Sequence, residues 1–147
     1  MALNSTTLPI STFVGYGVAT AVSTLASPVT ADVTFSALSG VEPVNKKSLT
    51  SGGLITSLTV NYVGTANVTA TALDLFSSID GGVTKRIVRS VTMNAGTISA
   101  TAALQPVDFG YSIDAPLELA AGELLYVATR VAISGGSWVF RFEGAAH

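Results

Sequence analysis

Residues 123–143 read ELLYVATRVAISGGSWVFRFE, two apolar segments separated by Ser-Gly-Gly-Ser. In the second segment Trp138, Phe140 and Phe142 occupy every second position, which is the period expected of a strand with one buried face. The first segment places four aliphatic side chains on one face: Leu125, Val127, Val131 and Ile133. Since the glycine pair between the segments can adopt positive φ, the stretch predicts two long strands joined as a tight hairpin that anchors the core.

The rest of the chain repeats this pattern in shorter segments. About eight to ten alternating segments are separated by turn residues every 8–12 positions, and none has the period of a helix, which is typical of an all-β sandwich or barrel. The strand number and the strand–turn–strand unit at 117–127 favour a jelly-roll β-sandwich of two antiparallel sheets over an Ig-like sandwich. A chain of 147 residues suits one such domain.

Individual segments carry more specific predictions. Residues 55–63, 98–104 and 107–113 alternate cleanly, so each predicts a half-buried strand. The segment at 68–76 changes phase near Ala72, which predicts either a bulge or a strand buried on both faces. Residues 77–82, Ser-Ser-Ile-Asp-Gly-Gly, predict a hairpin turn.

The beginning of the chain is uncharged as far as Asp32. We therefore divide the chain into an extended N-terminal arm or first strand, residues 1–26, and a jelly-roll domain, residues 27–147. Residues 12–26 can pack as a strand of their own domain or lie along a neighbouring subunit, and residues 1–11 are expected to contact that subunit. No membrane span is expected, because polar and glycine residues interrupt the apolar run. The predicted self-assembly residues are apolar members of this arm: Leu8, Ile10, Phe13, Val14, Tyr16 and Val18.

The composition also points to self-association. Charged residues make up 11% of the chain, against about 25% in average proteins. A soluble monomer normally keeps a charged exterior, so a surface made of Ser and Thr is easier to understand if identical neighbours cover much of it. The net charge of −2 gives no electrostatic case for nucleic acid as a partner.

The sequence offers little for catalysis. The single histidine, His147, is the last residue, and there is no cysteine, so a histidine triad or a thiol nucleophile is not expected. The acidic residues are scattered, mostly on turns or outward strand positions, which disfavours the carboxylate pair of a glycosidase. Asp80 could bind calcium with Asp74 or Asp108, but a plain hairpin turn is the favoured interpretation. We predict no enzymatic activity, no cofactor and no metal site.

A carbohydrate-binding module is a further alternative, since aromatic rings can line a sugar site. The candidates are Tyr16, Tyr62, Tyr111, Tyr126 and Trp138. Most of them lie on the predicted apolar faces, so core packing explains them better.

Four segments resemble a known family in the same order along the chain. They are Phe-Val-Gly-Tyr-Gly at 13–17, Gly-Gly-Leu-Ile-Thr-Ser-Leu at 52–58, a Thr/Ala-rich strand at 68–78 that ends in Leu-Phe-Ser-Ser, and Ala-Ala-Gly-Glu-Leu-Leu-Tyr-Val at 120–127. This pattern resembles the C-terminal jelly-roll domains of the collagen-like glycoproteins on the exosporium of Bacillus spores. The resemblance covers roughly residues 13–143.

The resemblance implies a homotrimer, a surface location and a structural role. The chain departs from the family in lacking the Gly-x-y collagen region that precedes the domain there. A component of a spore surface or spore appendage would fit that departure, and so would a trimeric decoration protein of a phage capsid, located on the virion. The expected function is therefore non-enzymatic self-assembly, with itself and other surface or capsid proteins as partners.

Overall fold

The computed structural model describes residues 11–19, 23–24, 33–34, 52–65, 67–99, 101–131 and 136–146. All regular secondary structure in these ranges is β-strand. The ten strands are β1 (Ser11–Ala19), β2 (Ser23–Thr24), β3 (Val33–Thr34), β4 (Gly53–Gly64), β5 (Thr71–Ser78), β6 (Thr84–Met93), β7 (Val107–Asp108), β8 (Leu117–Leu119), β9 (Leu124–Thr129) and β10 (Gly136–Ala146). The described part of the chain contains no helix long and apolar enough to cross a membrane.

The strands form two sheets. The first has the order β1-β10-β4, with β7 and β8 both pairing with the far side of β4, and the second has the order β2-β9-β5-β6-β3. All pairs are antiparallel except the short parallel pair of β2 and β9. The chain crosses repeatedly between the sheets, and its first described strand lies beside its last. The predicted all-β jelly-roll sandwich is therefore confirmed.

The core lies between the sheets, where the predicted alternation places it. On β10, Trp138, Phe140 and Phe142 are buried. They face the interior together with the inward residues of β4, namely Leu58, Val60 and Tyr62. The rings of Tyr62 and Trp138 meet edge to face, with their centroids 5.1 Å apart.

The predicted hairpin of residues 123–143 is wrong, because its two arms lie in different sheets. β9 pairs with β5 and β2, whereas β10 pairs with β4 and β1. The period of two identifies which face of each strand is buried, and it carries no information about the neighbouring strand. On β9 both faces are buried, including Tyr126 and Ala128 opposite the predicted apolar face, while Val131 is exposed.

Two further predicted strands are corrected by the structure. Residues 98–104 form no strand in their described part; the backbones of Ser99 and Ala102 instead exchange two hydrogen bonds with each other. From 107 to 113 only β7 is a strand, and Ile113 is 84% exposed although its spacing places it with buried Phe109. Alternation alone does not form a strand where no neighbouring strand offers backbone partners.

The predicted phase change in β5 corresponds to a strand with both faces covered. Leu73 and Leu75 point into the main core, whereas Phe76 packs on the opposite face in a second cluster with Tyr126 and Ala128. The pairing with β6 shifts at this point, since Leu75 lies opposite Arg89 and Phe76 opposite Ile87. The extra residue on β6 is Val88, so the bulge turns Ile87 toward the outer cluster.

The predicted turn at 77–82 is confirmed as the connection between β5 and β6, with positive φ at Gly81 and Gly82. The turn between β8 and β9 closes in a similar way around Gly122, with the Glu123 amide donating to the Ala120 carbonyl.

Candidate functional site

The first sheet has one long edge that no described strand covers. β1 pairs with β10 along its whole length, from Ser11 opposite Ala146 to Ala19 opposite Trp138. It is the terminal strand of its sheet among the described strands. Half of the backbone N–H and C=O groups of such a strand point away from its partner and can bond a further strand. We call this side of β1 the open edge.

The open edge lacks the features by which proteins normally protect an edge strand. The nine residues of β1 contain neither a charged residue nor proline. The other described edge strands are short: β2, β3 and β7 have two residues each and β8 has three. The described β3 covers only Thr84 and Lys85 of β6, and the rest of β6 contains two arginines, at 86 and 89. Pro106 and Pro116 directly precede β7 and β8. Because short length, proline and charge discourage strand addition, β1 is the described edge best suited to accept another strand.

The structure places most of the predicted self-assembly residues on this edge strand. Phe13, Val14, Tyr16 and Val18 lie on β1, and their register partners on β10 are Gly144, Glu143, Arg141 and Val139. Leu8 and Ile10 lie outside the described residues. Of the two arrangements open for residues 12–26, the described part of this stretch takes the first: β1 and β2 belong to the sheets of their own chain.

The outer face of the first sheet, next to the open edge, carries few charges. On β4 it presents Ser57, Thr59 and Asn61, all half-buried. On β10 the charged residues of this face are Arg141 and Glu143, which form an ion pair with each other. Asp108 on β7 and Glu118 on β8 lie opposite Thr59 and Leu54, so these two exposed carboxylates belong to the same face on the far side of β4. Near the open edge the charges are paired, and a neighbour can cover that part of the face without leaving a charge unpaired.

A buried polar cluster lies on the outer face of the second sheet, and the sequence analysis missed it. The Asp74 side chain is fully buried. Its carboxylate accepts hydrogen bonds from Arg130 Nε at 2.9 Å and Nη2 at 2.8 Å, and from Ser90 Oγ at 2.5 Å. The Thr71 hydroxyl accepts hydrogen bonds from the amides of Arg130 and Val131. Both carboxylate oxygens are thus occupied, and the cluster fixes the chain where it leaves β9.

The electrostatics of this cluster favour the ionised carboxylate. Burial by itself raises the pKa of Asp74, but hydrogen bonds from Arg130 and Ser90, together with the charge of Arg130, lower the pKa below its ordinary value. The only sequence signal for this burial was the phase change of β5, since its partner Arg130 is 56 residues away.

The calcium candidate at Asp80 is used by its own turn. Asp80 Oδ1 accepts hydrogen bonds from Ser78 Oγ at 2.7 Å and from the Thr84 amide at 2.9 Å. The Thr84 amide and the Ser78 hydroxyl lower the pKa of Asp80 to about 2. Asp74 is bonded to Arg130, and Asp108 Oδ1 accepts from the Gly110 amide at 2.7 Å. Among the described residues no three acidic or histidine side chains come together as a metal site.

Four of the five aromatic candidates do not form a sugar platform. Tyr62, Tyr111, Tyr126 and Trp138 are all buried, so core packing, the explanation favoured from the sequence, is confirmed for these four. Arg89 lies over the ring of Tyr111, and its Nη1 bonds the Phe109 carbonyl at 2.8 Å. Tyr126 in turn lies beneath the ammonium group of Lys85, at 4.5 Å from the ring centre. These rings are held between strands rather than presented to a ligand.

Comparison with known protein families, with characterised proteins and with solved structures finds no significant match to this chain. The assignment of function therefore depends on the fold and on the open edge with the sheet face beside it.

Proposed function

We propose that this chain is a non-enzymatic structural protein of a spore surface or spore appendage, which assembles with copies of itself through β surfaces and its N-terminal arm. The observation that carries the proposal is the open edge of β1, whose nine residues include neither a charged residue nor proline. The other described edge strands of this sheet, β7 and β8, are short, and each is preceded by a proline. An edge of this kind binds an added strand by main-chain hydrogen bonds, and register supplies the specificity.

The uncharged arm of a neighbouring copy is the strand that we expect to be added. Residues 1–10 contain no charged side chain, and their single proline, Pro9, stands two positions before β1 and removes one backbone donor. In extended form, ten residues would span about 34 Å and the nine residues of β1 about 31 Å, so one arm has the length needed to cover the open edge. The outer face of the first sheet adds contact area, which assembly requires because stable interfaces bury about 1,200–2,000 Å² in total.

The spore location rests on the resemblance of four sequence segments to the jelly-roll domains of the exosporium glycoproteins. A homotrimer is the favoured unit. The alternative is a phage capsid decoration protein, for which a closed trimer without further growth is expected. Negative-stain microscopy of the purified protein separates the two, since appendage subunits grow into fibres and decoration proteins stay as discrete trimers.

The test of the open edge compares four proteins by sedimentation velocity: the wild type, a deletion of residues 2–10, Val14→Lys and Ile113→Lys. Val14 lies opposite Glu143 in the register, so lysine there gains an opposite charge across the strands while it discourages strand addition. Ile113 is exposed on the loop between β7 and β8 and controls for the added charge.

We expect the wild type and Ile113→Lys to form the same assemblies, and the deletion and Val14→Lys to sediment as smaller species. A wild type that stays monomeric at every concentration would refute the proposal. If Val14→Lys forms the same assemblies as the wild type, the open edge is not the assembly contact.

A further inference from the structure

The two ends of the sandwich carry different surfaces. β6 runs for ten residues from Thr84 to Met93, a distance of about 34 Å. The turn at 79–83 precedes it, and the described residues 94–99 and 101–106 follow it. These two features therefore lie at opposite ends of the molecule, and we call them the turn and the receiving end.

The turn projects two aliphatic side chains into solvent. Ile79 is 70% exposed and Val83 is 60% exposed. Hydrogen bonds inside the turn fix its shape: the Thr84 amide donates to Asp80, and the Gly82 amide donates to Ser78 Oγ at 2.9 Å. A rigid apolar projection loses little conformational entropy when it is buried in an interface.

The charges near the turn are already satisfied within it. Asp80 is hydrogen-bonded to the turn as described above, and Lys85 Nζ donates to the Gly82 carbonyl. Burial lowers the pKa of Lys85 below its ordinary value, and the charge of Asp80 partly opposes this effect. The turn can therefore enter an uncharged surface without leaving an isolated charge there.

The receiving end contains two adjoining depressions, of about 350 Å³ and about 440 Å³. They share Ala103 and Leu104, and none of their described lining residues is charged. The first is lined by Met93 and Pro106 together with polar Thr92, Asn94, Thr97 and Gln105, and the second by Ile98 and Tyr62 together with Ser99 and Thr101. Val63 lines the second depression and is 60% exposed. Val131, 40% exposed, lies at the same end, because its amide bonds Thr71, the register partner of Met93. An uncharged depression with an exposed aliphatic residue in its lining can accept an apolar projection.

We propose that the turn of one copy inserts Ile79 and Val83 into the depressions at the receiving end of the next copy. This inference rests on the proposed self-assembly and adds a second contact, distinct from the open edge. Because the two surfaces differ and lie at opposite ends, the contact is head-to-tail. Repetition of such a contact gives a fibre, or a ring if the rotation between copies closes.

Three variants with the same added charge test the contact: Ile79→Glu in the turn, Ala103→Glu at the receiving end, and Ile113→Glu as the control. All three positions are exposed, so the fold is expected to tolerate the changes, and thermal melting of each variant verifies this. We expect the first two to raise the concentration at half-assembly by at least about tenfold, since a carboxylate enters an apolar contact without a partner. Ile113→Glu should match the wild type.

A mixing experiment decides whether the contact is head-to-tail. Ile79→Glu keeps an intact receiving end, and Ala103→Glu keeps an intact turn. Val14→Lys is added to both variants so that the open edge is disabled. When the two double variants are mixed, they should form a 1:1 complex, which neither forms alone. The absence of that complex, or Ile79→Glu assemblies equal to those of the wild type, would overturn the proposal. If Ile79→Glu assembles like the wild type while Val14→Lys does not, the head-to-tail contact is refuted and self-assembly through the open edge is supported. A wild type that stays monomeric refutes both the proposed self-assembly and the head-to-tail contact.

Discussion

Removal of the Arg130 guanidinium would leave the most buried charge of the described chain without its partner. In Arg130→Ala, the Asp74 carboxylate keeps only the hydrogen bond from Ser90 and remains buried on the outer face of the second sheet. Loss of one partner of a buried ion pair typically costs about 3–5 kcal/mol. Since the Arg130 side chain is 28% exposed, water can enter the vacated space. We therefore expect a cost near the lower bound, about 3 kcal/mol.

The chain contains a matched control for this substitution. Arg141 also forms an ion pair, with Glu143, but both side chains are partly exposed, by 44% and 38%. An exposed pair contributes about 0–1 kcal/mol, so Arg141→Ala should cost less than about 1 kcal/mol. Asp74→Ala should cost less than Arg130→Ala, because the arginine that remains can turn toward solvent. The double variant should then cost less than the sum of the two.

Urea denaturation at several pH values measures these differences. In the wild type the pKa of Asp74 lies below its ordinary value, so the pair contributes stability above that ordinary value and loses it as the pH falls through the folded-state pKa. Without Arg130, burial raises the pKa of the carboxyl, which can then bind a proton. The deficit of Arg130→Ala should therefore be largest near neutral pH and shrink below about pH 4. Equal losses in Arg130→Ala and Arg141→Ala would refute this reasoning.

Two other substitutions follow from single atoms in the structure. Gly82→Ala should lower the free energy of unfolding by about 1–3 kcal/mol, because φ at this position is +92° and the new Cβ would lie 2.3 Å from the Tyr126 hydroxyl. Gly81→Ala is the control: φ is +72° there but the space around the new Cβ is open, so the loss in the same denaturation assay should be smaller. Tyr111→Phe should raise the thermal midpoint, because the buried Tyr111 hydroxyl has no hydrogen-bond partner among the described residues and such a group costs about 1–3 kcal/mol. A lower midpoint would show that the hydroxyl is bonded in solution.

Much of the fold could be predicted from the sequence because strand alternation and turn residues are local signals. The positions of Trp138, Phe140 and Phe142 on the buried face of β10 follow from their spacing. So does the turn around Gly81 and Gly82, where positive φ is required. The absence of charge and proline in β1, the property on which the candidate site depends, is likewise a property of the amino-acid sequence alone.

The pairing of strands was decided only by the tertiary structure. Alternation gives each strand a buried face and no partner, so β9 and β10 looked like a hairpin although they belong to opposite sheets. The burial of Asp74 likewise required Arg130 to arrive from 56 residues away. The open edge of β1 exists for the same reason: its residues determine that it can pair, and the position of β10 determines which side stays unpaired.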